Sequence, residues 1–372
     1  CKRLFGERMR LSPSGLERYG SCPFSFFMNN ALGIRPLRQA KADPAQSGSL
    51  IHFVLERLLR EEGRGLAKLS REALGERIEG LIEEYLAGQA QDLKALGERL
   101  RYQFLRLAQS MTELVLHVAK ELEQSRFVPA GFELRVAPGG DAPPLTLRLP
   151  DGASVWVEGV VDRVDVFEEE GKKYLRVIDY KSGGKVFRLR DVYYGLNMQM
   201  LIYLFSLWQD GEGALPAGVL YLPAVSRFFP AGRDAGEKEL AAAREKEFRM
   251  NGLLLEDERS LEAMEPGGKG VFLPVKRGRD GGWNRSEALC SLEQLGRLRR
   301  RVEERILAVA QGLLQGEIAA DPLLEGERGP CDWCDYADLC GRRPGDPARA
   351  LEEIDRAALL GEDGEKGGEK DG

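Results

Sequence analysis

Three features of the amino-acid sequence predict an α/β fold. Apolar residues follow helical spacing through the first third, alternate with period two from about Phe132, then return to helical spacing before a short buried strand at Ala217–Leu222. A strand that follows a helical crossover joins the sheet laid down before it.

In chain order, Ser14 to Leu32 reads as a helix with Ser14 as N-cap after Pro13. Cys22-Pro23 breaks it into two pieces or kinks it, because proline removes a backbone donor. Ser47-Gly48-Ser49 opens a second helix bearing Leu50, His52, Phe53, Leu55, Leu58 and Leu59, and amphipathic helices follow near 70–86 and 93–122. Strands are expected at 132–136, 145–149, 155–167 and 174–180, then a helix over 192–208. Residues 237–264 are mixed and charged, and 267–282 form a Gly-rich loop around a short strand at 271–275. Leu292–Leu314 is a strongly amphipathic helix leading into a cysteine cluster. The expected divisions are a helical part over 1–131, a sheet-and-helix core over 132–225, a peripheral region with the cysteines over 226–343, and a disordered tail over 344–372.

The 372 residues are 43% hydrophobic, enough for a substantial core. No apolar run is long enough to span a membrane, and a start at Cys1-Lys2-Arg3 without signal peptide reads as a piece of a longer polypeptide. A net charge of −6 argues against coating nucleic acid through a bulk positive field, so any such contact must use local patches. Gly341–Gly372 carries nine acids and six bases, −3 of that total, and reads as a solvated end. The six cysteines do not resemble a secreted disulfide framework and point to a reducing, cytoplasmic compartment. The sequence contains no Gly-x4-Gly-Lys-Ser/Thr phosphate loop, and so no ATPase of that kind.

The chemistry concentrates in 155–181. Two strands joined by a charged turn place Asp162 in the first and Asp179, Tyr180 and Lys181 at the end of the second. Asp179 and Lys181 are two apart and share a face, and pairing of the strands would bring Asp162 to the same spot. Two carboxylates beside a lysine suit a hard divalent cation and a phosphodiester. As isolated residues they admit a plainer reading, in which Asp179 pairs with Lys181 and Asp162 with Arg163. His52 is one of only two histidines; the other, His117, lies mid-helix. Gln199 and Tyr203, spaced i, i+4, share a helix face that could wall the site or simply belong to the core. Cys331, Cys334 and Cys340 form C-x2-C-x5-C, with Cys22 the best fourth ligand; Cys1 and Cys290 have no obvious partner. Spacing alone leaves zinc and an iron–sulfur cluster both open.

Taken together, GSLIH (48–52), EGVVDRVD (158–165), VIDYKSG (177–183) and QMLIY (199–203), in that order, with YGSCPFSFF before and CDWCDYADLC after, resemble the RecB-like branch of the PD-(D/E)XK nuclease superfamily over Leu11–Arg343. The resemblance implies a nuclease core with a mixed central sheet flanked by helices, and a cysteine-cluster staple joining its two ends. It implies that His52, Asp162, Asp179 and the Tyr180 carbonyl bind Mg2+, and that Lys181 positions or activates the attacking water. Gln199 and Tyr203 would be accessory, and Glu133 would sit in the outer shell. It further implies that Cys22, Cys331, Cys334 and Cys340 hold a [4Fe-4S] cluster rather than Zn2+. The implied substrate is single-stranded DNA leaving an unwound duplex, and the implied partner an AddA-like helicase–nuclease subunit. A stand-alone Cas4-like or Dna2-like exonuclease, or a non-catalytic DNA-binding scaffold on the same fold, are the competing expectations.

Overall fold

The computed structural model describes residues 2–6, 8–35, 44–88, 97–183, 186–208, 213–224, 236–284, 286–343 and 345–361. Cys1 and the charged end from residue 362 lie outside them. Helices α1 (Lys2–Phe5), α2 (Pro13–Ser21), α3 (Pro23–Phe26), α4 (Pro44–Glu62), α5 (Arg71–Gly88) and α6 (Gly97–Gln124) precede or flank the strands. The strands are β1 (Arg8–Leu11), β2 (Val128–Val136), β3 (Leu145–Arg148), β4 (Ser154–Val157), β5 (Gly159–Glu169) and β6 (Lys172–Lys181). Next come α7 (Leu189–Tyr193), α8 (Gln199–Leu207), β7 (Ala214–Pro223), α9 (Glu237–Phe248), β8 (Asn251–Leu255) and α10 (Glu258–Met264). The chain continues through β9 (Leu289–Cys290), α11 (Leu292–Gln315), β10 (Leu323–Leu324), α12 (Ala337–Cys340), β11 (Arg349–Ala350) and α13 (Arg356–Leu360). Among the described residues no helix is long and apolar enough to cross a membrane.

The central sheet is mixed, in the order β2-β5-β6-β7-β8-β9. β5 pairs antiparallel with β2 and β6, while β6 and β7 run parallel across the α7–α8 crossover. The pleat alternates its payload, as a sheet covered on both faces must. Tyr174, Ile178 and Tyr180 of β6 enter a core built with α4, α5 and α6. Leu175 and Val177 enter another, built with α2, α8, α11 and a small sheet of order β1-β4-β3. Each fully buried leucine in these cores, such as Leu58 or Leu298, contributes roughly 1.5–3 kcal/mol.

Several local expectations are corrected. The cap of α2 is Ser12, whose side chain accepts the Gly15 N–H at 3.1 Å, so Pro13 occupies the first helical turn and Ser14 lies inside it. Cys22 is extended (φ −165°) and ends α2, as the Cys-Pro pair requires. The single strand expected over 155–167 divides at Gly159: β4 belongs to the small sheet and β5 to the central one. The helix expected over 192–208 is broken between α7 and α8, where Gly195 and Asn197 take positive φ. β8 was hidden among charged neighbours yet joins the central sheet. Residues 271–275 are not a strand, because the N–H groups of Val271, Phe272 and Leu273 are taken by the buried carboxylate of Glu265. Part of the expected tail is ordered: β11 pairs with β10, and α13 buries Leu359 and Leu360.

Asp162 does not pair with Arg163. Arg163 binds Asp165 through two 2.6 Å contacts, and Arg176 bonds Asp165 at 2.7 Å and Glu121 at 2.6 Å. All four are buried. Burial pushes the Asp165 carboxyl up, but the two guanidiniums outweigh it and hold the group below its ordinary range. Breaking one partner of such a network leaves the other charges uncompensated. Asp165→Ala is therefore expected to cost about 3–5 kcal/mol in urea unfolding; a loss below about 1 kcal/mol would show that the network does not hold β5 to β6.

Candidate active site

β5 and β6 converge on one spot. In their ladder Arg163 lies opposite Ile178, so one step further Asp162 faces Asp179. Asp162 Oδ2 accepts the Tyr180 N–H at 2.9 Å, and Asp179 Oδ2 lies 2.6 Å from Lys181 Nζ. From the other strand, Phe132 pairs with Arg163 and Leu134 with Val161, so Glu133 lies across from Asp162. Glu133 has φ +47°, a conformation rare outside glycine and concentrated where a strained backbone aims a functional side chain.

His52, on α4, completes the group. Its Nδ1 lies 3.4 Å from Asp162 Oδ1 and 3.7 Å from Glu133 Oε1, and its Nε2 lies 3.1 Å from the Tyr180 carbonyl oxygen. Among the described residues, His52, Glu133 and Asp162 are the set whose ligand atoms lie within 4.8 Å of one another. Nitrogen and carboxylate donors at this spacing fit a divalent cation, with the Tyr180 carbonyl beside them as a further oxygen. A cavity of about 480 Å3 lined by Gly48, Ser49, His52, Phe53, Glu56 and Glu133 opens onto the centre.

The charges are poised against one another. Burial disfavours the His52 imidazolium, but the hydrogen bonds to Asp162 and Glu133 and the charge of Asp162 outweigh it and push the pKa up to about 10. Burial, reinforced by the neighbouring Asp162 charge, pushes Asp179 up to about 6 against the pull of Lys181. His117 is the opposite case: burial drops it to about 4, and its ring packs between Phe248 and Phe272.

Lys181 Nζ also reaches Gln199 Oε1 at 3.5 Å. Gln199 is hydrogen-bonded to the buried Tyr203 hydroxyl, which also meets the Val160 backbone. A Cβ at Gly159 would stand 2.3 Å from that hydroxyl, so glycine is required where the chain passes from β4 to β5. Gln199 and Tyr203 thus sit against the centre.

Cys22 lies near the C-terminal cysteines. Burial pushes the Cys22 thiol up, and Cys334 and Cys340 are close enough to add to the effect; Cys331 feels the other three. The two ends of the chain are also sewn together without them. Phe24 N–H bonds the Ala319 carbonyl at 3.1 Å, the Tyr336 hydroxyl donates to the Ile34 carbonyl at 2.9 Å, and Arg349 donates to the Gly20 carbonyl at 2.8 Å.

The PD-(D/E)XK nuclease superfamily model matches residues 10–341. The chain belongs to the PD-(D/E)XK nuclease superfamily. Within this superfamily it is similar to the B subunit of the ATP-dependent helicase/deoxyribonuclease of Clostridium acetobutylicum, 30% identical over 348 residues, 91% of this chain and 30% of the relative. The corresponding subunit of Acetivibrio thermocellus is 30% identical over 347 residues, and that of Ruminiclostridium cellulolyticum 29% over 349. The chain spans about 30% of the length of these relatives. The mixed sheet between helical layers is the nuclease-superfamily architecture that the motifs implied.

Of the residues singled out from the sequence, Asp162, Asp179, Lys181 and His52 are brought together, with Gln199 and Tyr203 behind them. Glu133, expected in the outer shell, stands in the inner group. The available signal was the register of β2 against β5, invisible without the fold. Sequence reasoning missed Tyr221, which lies beneath Lys181 with the ring centroid 5.5 Å from Nζ.

A cation bound at this centre must displace the His52 proton and needs Asp179 ionised, so metal uptake releases protons. With His52 at about 10 and Asp179 at about 6, divalent-cation affinity is expected to rise about tenfold per pH unit between about pH 7 and 9, and to fall more steeply below about 6. Calorimetric titration across that range checks it; a flat affinity would remove His52 from the ligand set.

Proposed function

We propose that this chain is a Mg2+-dependent deoxyribonuclease domain that hydrolyses phosphodiester bonds in single-stranded DNA. It would act as part of an AddB-type subunit beside an AddA-like helicase–nuclease, in the cytoplasm, during double-strand break repair by homologous recombination. One observation carries the reading: His52, Glu133 and Asp162 converge within 4.8 Å beside the Asp179–Lys181 pair. The likeness to helicase/deoxyribonuclease subunits over 91% of the chain, and the far greater length of those relatives, favour a part of a large complex over a stand-alone exonuclease.

His52, Asp162, Asp179, Glu133 and the Tyr180 carbonyl would hold the cation. When bound, a divalent ion offsets charge on the scissile phosphate and lowers the pKa of a water molecule beside it. Lys181 supplies a fixed positive charge next to the phosphate and orients the attacking water. Gln199, braced by Tyr203, keeps the ammonium from swinging into solvent. The acidic chain as a whole offers no bulk attraction to DNA, so entry of the strand depends on this local charge.

We assign Cys22, Cys331, Cys334 and Cys340 to a [4Fe-4S] cluster. The thiols of Cys331 and Cys22 each lie near the others of the set, as ligands of one shared metal group must. Its role is structural, closing a loop of about three hundred residues and restricting the unfolded chain.

Two measurements test these assignments. On end-labelled single-stranded DNA with Mg2+, Asp179→Ala and Lys181→Ala are each expected to slow cleavage by about 10²–10³ or more; cleavage by both at the wild-type rate would place the centre elsewhere. Protein purified without oxygen is expected to carry iron and acid-labile sulfide in equal amounts, with broad visible absorption lost in Cys22→Ser. One equivalent of zinc with no iron would contradict the cluster.

A further inference from the structure

We infer that Tyr221 is a positioning residue whose buried ring face seats the Lys181 ammonium once Asp179 turns its carboxylate to a cation; this rests on the function proposed above. Among the described residues, Lys181 Nζ meets Asp179 Oδ2 at 2.6 Å, Gln199 Oε1 at 3.5 Å and the Tyr221 ring, its centroid 5.5 Å away. The first is the closest but not a committed partner. Among the described residues, the buried Asp179 Oδ2 has this ammonium as its close partner and no other hydrogen bond, so it can turn to another ligand. When it serves a cation, Lys181 loses its nearest anion. The glutamine contact sits at the outer limit of a hydrogen bond and restrains the ammonium only weakly, so the ring must share that work.

The ring is built to stay in place. Tyr221 lies opposite Asp179 in the parallel β6–β7 ladder and is 1% exposed. Phe187 packs on it with centroids 6.5 Å apart, and the Phe187 N–H is fixed by Asn251 Oδ1 at 2.9 Å. Asn251 is itself the residue opposite Tyr221 in β8. An ammonium over an aromatic face within about 6 Å is attracted by the ring quadrupole, most strongly where water is excluded. Among the described residues the buried Tyr221 hydroxyl has no hydrogen-bond partner, so the contact to Lys181 is made by the ring and not by that group. A ring face attracts the ammonium from one side only, so it holds the amine's aim at the reacting phosphate.

The test compares Tyr221→Met, which keeps volume without a ring, with Tyr221→Phe, which keeps the ring without the hydroxyl; Tyr221→Leu serves as a second ringless variant. Two readouts are taken on the full chain: the rate at which Lys181 is acetylated in the presence of Mg2+, followed by peptide mass spectrometry, and kcat and KM on single-stranded DNA. Tyr221→Met is expected to speed Lys181 acetylation severalfold and to lower kcat about tenfold with KM unchanged, the size of one desolvated cation–π contact. Tyr221→Phe is expected to restore both values, with thermal melting of the two variants alike. The inference is overturned if Tyr221→Met or Tyr221→Leu matches Tyr221→Phe in both readouts, or if Tyr221→Phe is as impaired as Tyr221→Met. Wild-type cleavage by Lys181→Ala would instead overturn the proposed function. An inactive Lys181→Ala beside an unimpaired Tyr221→Met would overturn this inference alone.

Discussion

Bringing carboxylates together inside a folded sheet is the constraint around which the rest of this structure is arranged. Asp162 and Asp179 are 8% and 2% exposed, and Glu133 stands across the next strand pair from Asp162. Like charges so placed repel, and burial raises the cost further. The upward push on both Asp179 and His52 is the visible consequence: one group takes up a proton more readily and the other holds one more tightly. A site of this kind is stabilised by a cation, and until one is bound His52 and Lys181 supply the compensating charge.

The frame must resist that repulsion without using the site's own residues. β5 and β6 are tied by a second set of charges, Arg163, Asp165, Arg176 and Glu121, which pair with one another and leave Asp162 and Asp179 to other partners. On the α8 side, Tyr203 fits against Gly159 so closely that no side chain could replace the glycine hydrogen, and this fixes Gln199 beside Lys181. α4 delivers His52 from the other layer, anchored by Leu50, Ile51, Val54 and Leu55, all fully buried. The three layers therefore meet at the ends of two strands, and distant packing sets distances of about 3–4 Å at the centre.

Much of this was legible because it rests on short-range rules. The two-residue spacing of Asp179 and Lys181 fixes a shared face whatever the fold, and the strand period of 159–169 and 172–181 follows from their β-branched and aromatic content. The Cys22-Pro23 break and the Leu292–Leu314 helix, capped by Ser291 and Gln294, were equally local. What depended on register or tertiary partners was not legible. Glu133 gains its place from an alignment of β2 with β5 and from a left-handed backbone. Arg163 chose Asp165 over Asp162 because successive strand residues face opposite layers. The loop at 271–275 looked like a strand because a buried acid, Glu265, can satisfy backbone donors as a neighbouring strand would. Tyr221 looked like one more core residue, since nothing in AGVLYLPA says what lies above the ring.

Every role given to these residues depends on the location of one cation, and anomalous diffraction from crystals grown with Mn2+ reads it directly. The expected peak touches the His52 imidazole, the Asp162, Asp179 and Glu133 carboxylates and the Tyr180 carbonyl, with ligand distances of about 2.0–2.2 Å to the oxygens. A peak held by other residues, or none at this centre while Mn2+ supports cleavage, would contradict it.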